Sequence, residues 1–191
     1  VKHTGAWNTH PGAAAALLRR LKQNTSLKAS LKRVSVLPGK DDLAGYPFLF
    51  LSGLDEFEFD AAGVAAMRNF LGGSGTLFVN NGLGMKTFDQ AVRRELKRIL
   101  PEAKFEPIPP THPLYSTVFN IAEVQYTPAV LKQMKEDTTK APYLEGITIN
   151  GDLRVIYSPY DMEGGWLGCD YPLSKAFEPV SAMQLGMNIV M

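Results

Sequence analysis

The chain has 191 residues, 45% hydrophobic and 20% charged, with a formal net charge of +1. That length suits one α/β domain and is ample to bury a core, while the small net charge leaves no global field to draw in nucleic acid or an anionic membrane. Cys169 is the only cysteine, which excludes an intramolecular disulfide and a Cys-based zinc site. No transmembrane run or signal peptide is present, and the sequence starts at Val1. The expectation is a single α/β domain over 1–191, part of a longer or leader-trimmed protein.

Val1-Lys2-His3 reads as the end of a first strand. Thr9-His10-Pro11 looks like a helix start, with proline tolerated in the first turn, and Ala13 to Leu21 is rich in strong helix formers. Val34 to Leu37 reads as a short strand closed by Pro38-Gly39. Phe48-Leu49-Phe50-Leu51 is an unbroken apolar run, the pattern of a strand buried on both faces in the middle of a parallel sheet.

Asp60 is placed to cap a helix that carries Val64, Met67, Phe70 and Leu71 on one face and ends at Gly72-Gly73. Thr76 to Val79 is the next buried strand. Phe88 to Leu100 is an amphipathic helix stopped by Pro101, and its basic run Arg93-Arg94-Glu95-Leu96-Lys97-Arg98 reads as a solvated face. Strands separated by single helices imply βαβ units.

The second half is less regular. Pro107 to Pro113 reads as an extended loop, and Lys132 to Lys140 as polar and exposed. Ile147 to Ile149 and Leu153 to Tyr157, joined across Asn150-Gly151, form a β-hairpin excursion with a type I′ turn. Ser158 to Pro172 is a long loop, and Phe177 to Met191 a closing helix.

The segment Gly75 to Gly84 concentrates the functional question. It reads as a buried strand running into a tight, glycine-assisted turn and then a helix. In many α/β hydrolases and amidotransferases that turn presents a Ser or Cys nucleophile. Here it reads Asn80-Asn81-Gly82, and a carboxamide is not a nucleophile. The Gly-rich segments Gly72-Gly73-Ser74-Gly75 and Gly82-Leu83-Gly84 also lack the Gly-Lys-Ser/Thr of a phosphate-binding loop.

Several segments together carry a family resemblance. They are Gly5-Ala6-Trp7-Asn8 with Pro11, Tyr46 to Gly53, and Leu71-Gly72-Gly73 followed by the strand to Asn80-Asn81. Phe88-Asp89 with Arg93 to Leu96, Ile108-Pro109, His112 to Tyr115, Leu144 to Ile147, and Tyr157-Ser158 with Asp161 and Trp166 continue it. The chain resembles, over nearly its whole length, the bacterial family catalogued as domain of unknown function 4159. The resemblance implies a flavodoxin-like, class I glutamine amidotransferase-like fold with a mostly parallel central sheet flanked by helices. It implies no established activity. Members resemble accessory envelope proteins found beside MoxR-type ATPases and von Willebrand factor A domain proteins, which suggests the cell envelope or periplasm. Many relatives carry acidic residues where Asn80-Asn81 stand and a Gly-His-type pair where Gly53-Leu54 stand, so this chain departs from the pattern there.

The carboxyl end of the central strands is where ligands collect in open α/β sheets. Asn80 and Asn81 offer donors and acceptors suited to a neutral polar ligand such as an amide or sugar, although Asn-Gly is also ordinary turn chemistry. Asp55 emerges after the neighbouring strand. Trp7 and Trp166 either stack on a ligand or plug the core. The candidate ligand-binding residues are therefore Asp55, Asn80, Asn81, Trp7, His112, Asp161 and Trp166. No catalytic residue, metal or cofactor is assigned, because His3 and His10 lack a third ligand. The expectation is a non-catalytic module for an unknown protein partner or a small polar ligand, with no nucleic acid and no direct membrane insertion by this segment. The alternative is a hydrolase or amidotransferase-like enzyme that uses Cys169, paired with His112, or Asp55 in a desolvated cleft.

Overall fold

The computed structural model describes residues 1–134, 140–169 and 171–191. In chain order the elements are α1 (Ala13–Asn24), β1 (Phe48–Gly53), α2 (Ala61–Gly72), β2 (Thr76–Asn81), α3 (Lys86–Ile99), β3 (Glu106–Pro107), α4 (Pro128–Gln133), β4 (Glu145–Ile149), β5 (Asp152–Ser158), α5 (Glu163–Trp166) and α6 (Pro179–Val190). Short 3-10 turns occupy Gly82–Gly84 and Pro113–Ser116. The chain forms two compact units. The first comprises Val1–Thr9, Ser35–Ile108 and Leu144–Pro159, and the second His10–Val34, Pro109–Tyr143 and Tyr160–Met191.

The first unit is an α/β layer. Its five-stranded mixed sheet has the order β1-β2-β5-β4-β3. β1, β2 and β5 are parallel neighbours, while β4 runs antiparallel to β5 and to β3. Helices α2 and α3 pack together over one face, where Leu49, Leu51, Leu77, Val79 and Tyr157 meet Met67, Leu71, Phe88 and Val92. The other face carries Phe50, Phe78 and Ile156 in register.

Local chemistry explains most of these boundaries. The Asp60 carboxylate accepts from Gly63 N at 2.7 Å and starts α2, as its capping chemistry predicts. Asn150 (φ 54) and Gly151 (φ 89) occupy the left-handed region that a type I′ turn requires. The hairpin they close is no excursion, however: β5 inserts beside β2 and completes the parallel core.

Other expectations are corrected. β1 lies at the edge of the sheet, so Phe48 and Phe50 are only half-buried. Val1 to His3 forms no ladder; the terminal amine donates to Phe50 O at 2.6 Å and Lys2 N to Val36 O at 2.7 Å. Val34 to Leu37 is not a strand, because Leu37 N is taken by the Asp41 carboxylate at 2.7 Å. β2 extends through Asn80 and Asn81, which moves the turn to Gly82–Gly84. Pro107, expected in a loop, instead joins Glu106 in pairing with β4 at the sheet edge, where proline is tolerated.

The basic run of α3 is engaged in ion pairs rather than simply solvated. Glu95 is 1% exposed. Its carboxylate accepts from Arg94 Nε at 3.0 Å, Arg98 Nη1 at 2.7 Å and Phe59 N at 3.1 Å. Arg94 also donates to Phe57 O, and Arg98 to Phe59 O at 3.0 Å. Arg93 grips Glu145 through two bonds of 2.9 and 3.1 Å and Asp89 at 3.0 Å. Asp89 in turn accepts from Tyr157 Oη at 2.7 Å.

The second unit is helical. Helix α1 begins at Ala13 with Gly12 as its cap, later than Thr9-His10-Pro11 suggested. It buries Ala13, Leu17 and Leu21 at helical spacing and packs against α5 and α6. The closing helix α6 begins at Pro179, two residues past Phe177. The expected loop from Ser158 to Pro172 contains the single turn α5. Part of that loop, Asp170, and the stretch 135–139 of the polar segment lie outside the described residues. Among the described residues no helix is long and apolar enough to cross a membrane.

Replacing Glu95 with Ala leaves the Phe59 N–H without its acceptor and two arginines without their buried partner. The expected loss, read from urea unfolding curves, is about 3 kcal/mol. A loss under about 0.5 kcal/mol would show that the network contributes nothing net.

Candidate functional site

Each of the three parallel strands is an apolar run that ends on polar residues. Register sets Ser52 beside Asn80 and Asn80 beside Ser158. All three are buried, at 4%, 0% and 0% exposure. The Asn80 amide donates to Ser52 Oγ at 3.3 Å. Successive side chains alternate faces, so this polar row shares the face of Phe50, Phe78 and Ile156, while Asn81 turns to the face of α2 and α3. Asn81 is 2% exposed, and its Oδ1 has no hydrogen-bond partner among the described residues. The sequence reading named Asn80 and Asn81 but missed Ser52 and Ser158. The legible signal was the polar residue closing each apolar run.

Beside this edge sits His3. Its Nε2–H donates to Ser52 O at 3.0 Å, and its Nδ1 accepts from Gly5 N at 3.1 Å. Those two bonds fix the neutral Nε2–H tautomer and leave no lone pair for a metal. The ring stacks on Phe57 with centroids 4.4 Å apart. Gly53 is required here, because a Cβ would stand 2.5 Å from the Phe88 ring and 3.0 Å from His3. Burial pushes the His3 pKa down to about 4.

The strand-to-helix elbow is built from Gly82, Leu83 and Gly84 rather than from the asparagines. Leu83 holds φ 53 and ψ 8, and Gly84 holds φ 66. A left-handed residue without a polar side chain is uncommon, costs on the order of 1–3 kcal/mol and clusters at functional turns. The residue in the strained position is aliphatic. Asp55, which follows β1, is exposed. Trp7 is half-buried, with Lys2 Nζ 5.9 Å from its ring.

The remaining candidates belong to the second unit. His112 caps the 3-10 turn Pro113–Ser116, its Nδ1 accepting from Leu114 N at 3.1 Å. Trp166 is 4% exposed, and its indole N–H donates to Ala182 O at 2.9 Å, the bond expected of a core plug. Gly186 admits that ring, since a Cβ would meet it at 2.6 Å. Asp161 is fully buried and accepts from Glu163 N at 2.9 Å. Glu163 lies 3.7 Å from His10 Nδ1 and raises the His10 pKa. Cys169 neighbours Tyr171, whose phenol is held above its usual value by that sulfur. A cavity of about 10 Å³, room for roughly one water, is bordered by Thr127, Asp161, Cys169 and Ser174. His10 reaches toward this cluster, with 6.1 Å between its ring centroid and that of Tyr171. His112 is engaged in its cap. Among the described residues no group of three or more His, Cys, Asp or Glu is placed to hold a metal ion.

A family model described as "Domain of unknown function (DUF4159)" matches residues 1–191. The chain belongs to that family. No curated protein matches it. The match covers the residues of both units.

Two titrations test this geometry. His3 falls from 6.5 to about 4 on folding, so the unfolded chain binds the extra proton between those values. Burial of the neutral ring therefore leaves the fold at full stability above pH 6.5 and destabilises it as pH falls toward 4, by up to about 3 kcal/mol. His3→Gln keeps an N–H for Ser52 and cannot titrate. The difference in unfolding free energy between wild type and variant is expected to shrink by that amount from pH 7.5 to pH 4; a pH-independent difference would disprove the buried neutral His3. For His10, the raised value depends on Glu163. Glu163→Gln is expected to lower the His10 midpoint followed by NMR, and an unchanged midpoint would remove Glu163 as the cause.

Proposed function

We propose that this protein is a non-catalytic binding module on a flavodoxin-like, amidotransferase-like scaffold. The observation that carries this reading is the elbow. The strained backbone that would present a nucleophile is retained between Gly82 and Gly84, and its side chain is that of Leu83. Nothing in a leucine accepts a proton, attacks a carbonyl or stabilises an oxyanion. The enzyme alternative draws less support. Asp55 is exposed rather than desolvated, and the His112 Nδ1 is committed to Leu114 N.

The ligand class follows from Asn81. A buried carbonyl oxygen without a donor costs about 1–3 kcal/mol, and a ligand N–H or O–H recovers that cost. On the face of α2 and α3, the Asn81 carboxamide favours a small neutral polar ligand, an amide or a sugar. An accessory role in the bacterial cell envelope belongs to the same reading and rests on the family resemblance.

A thermal-shift panel of glutamine, asparagine, other amino acids and monosaccharides tests it. A ligand at 100 times its Kd adds about 2.7 kcal/mol, or roughly 5–10 °C for a chain of this size. The shift is expected in wild type and absent in Asn81→Ala. No shift across the panel, or one that survives in Asn81→Ala, would end the site assignment. Rapid, selective alkylation of native Cys169 near neutral pH would overturn the non-catalytic reading.

A further inference from the structure

The formal charge of +1 conceals an uneven distribution. Residues 10–34 contain Arg19, Arg20, Lys22, Lys28, Lys32 and Arg33 and no acidic residue. Helix α1 projects the first two of these onto the rim of an open groove in the second unit, about 700 Å³ in volume. One wall is an α1 stripe at helical spacing, Ala16, Arg19, Arg20 and Gln23. The opposite wall is an α6 stripe, Val180, Met183, Gln184 and Met187. Trp166 and Phe119 complete the apolar lining. Val180 is 67% exposed and Leu167, at the same groove, 40%.

The groove does not suit a small molecule, which is oriented by buried, convergent polar groups. Its charged members, Arg19 and Arg20, are both exposed. No acidic side chain lines it among the described residues. Each wall runs over eight residues of helix, about 12 Å or a little over two turns. Two helical walls, methionines that adapt to a partner's side chains, and cations along one rim are the features of helix-in-groove recognition.

We propose that this groove docks an amphipathic α-helix of a partner protein, its apolar face against Met183 and Met187 and acidic residues along the flank facing Arg19 and Arg20. The proposal uses different residues from the sheet-end site. Small polar ligands test that site and peptides test this one, so either can fail alone.

The probe is a displayed library of amphipathic helices of about three turns, long enough to overrun the walls, with Glu, Gln or Lys randomised along one flank. Enrichment of Glu-flanked helices is expected. Selected peptides, labelled and followed by fluorescence anisotropy, are expected to lose at least tenfold in affinity on Arg19→Glu/Arg20→Glu and on Val180→Asp. Binding is expected to weaken with added salt. All three side chains are exposed, and circular dichroism of each variant checks that folding is retained. No enrichment, enrichment of Lys- or Gln-flanked helices, or equal affinity for wild type and the variants would overturn the proposal. So would binding of anionic phospholipid vesicles through Arg19 and Arg20 in place of any selected peptide.

Discussion

A buried carboxylate holds the first unit in order. Glu95 sits on α3 with 1% exposure, and its two oxygens accept from two arginines and from the backbone N–H of Phe59. A lone carboxylate in that position would be prohibitively costly, so the guanidinium groups and the N–H are conditions of its burial. The same arginines bond the carbonyls of Phe57 and Phe59, the segment that leads into the Asp60 cap of α2. One cluster therefore fixes where α2 begins and how α3 lies against it. The Tyr157–Asp89–Arg93–Glu145 chain then pins α3 to β5 and β4. With the helices fixed, the strands cannot slip in register without moving every inward side chain to the wrong face.

That register is what creates the polar edge. Ser52, Asn80 and Ser158 come from segments far apart in sequence, and only parallel pairing of β1, β2 and β5 brings them into a row. A left-handed residue, Leu83, stands just past the end of β2, and His3 donates to Ser52 O. The polar groups gathered at this edge are carboxamides and hydroxyls.

The second unit contributes a different kind of surface. Its α1 carries cations outward and buries Leu17 and Leu21 inward, so one short helix both builds the core of that unit and charges one rim of the groove. Trp166 serves the core on one side and lines the groove on the other. Net charge for the whole chain hid this, because acidic residues later in the sequence cancel the basic stretch.

Local rules were enough for much of the fold. The Asp60 cap, the Asn150-Gly151 turn, the inward stripes of α2 and α3 and the apolar strands could all be placed from sequence, because each depends on residues within one or two turns of itself. The glycine-assisted turn into α3 was legible in the same way, although it sits at Gly82–Gly84 rather than at the asparagines. Where a bond came from a distant residue, the local reading failed. Leu37 gave its N–H to Asp41 rather than to a strand, β5 joined the parallel core rather than standing out as a hairpin, and β2 took in Asn80, paired on both sides, and Asn81, paired with Gly53. Family membership covers 1–191, yet the row of Ser52, Asn80 and Ser158 and the pairing of His10 with Glu163 exist only once the chain is folded. The sequence by itself determined where most helices and strands form, since that follows from nearby residues. The tertiary structure alone decided which polar groups share an edge or a cavity, since long-range register and burial are set by contacts between segments that the sequence keeps apart.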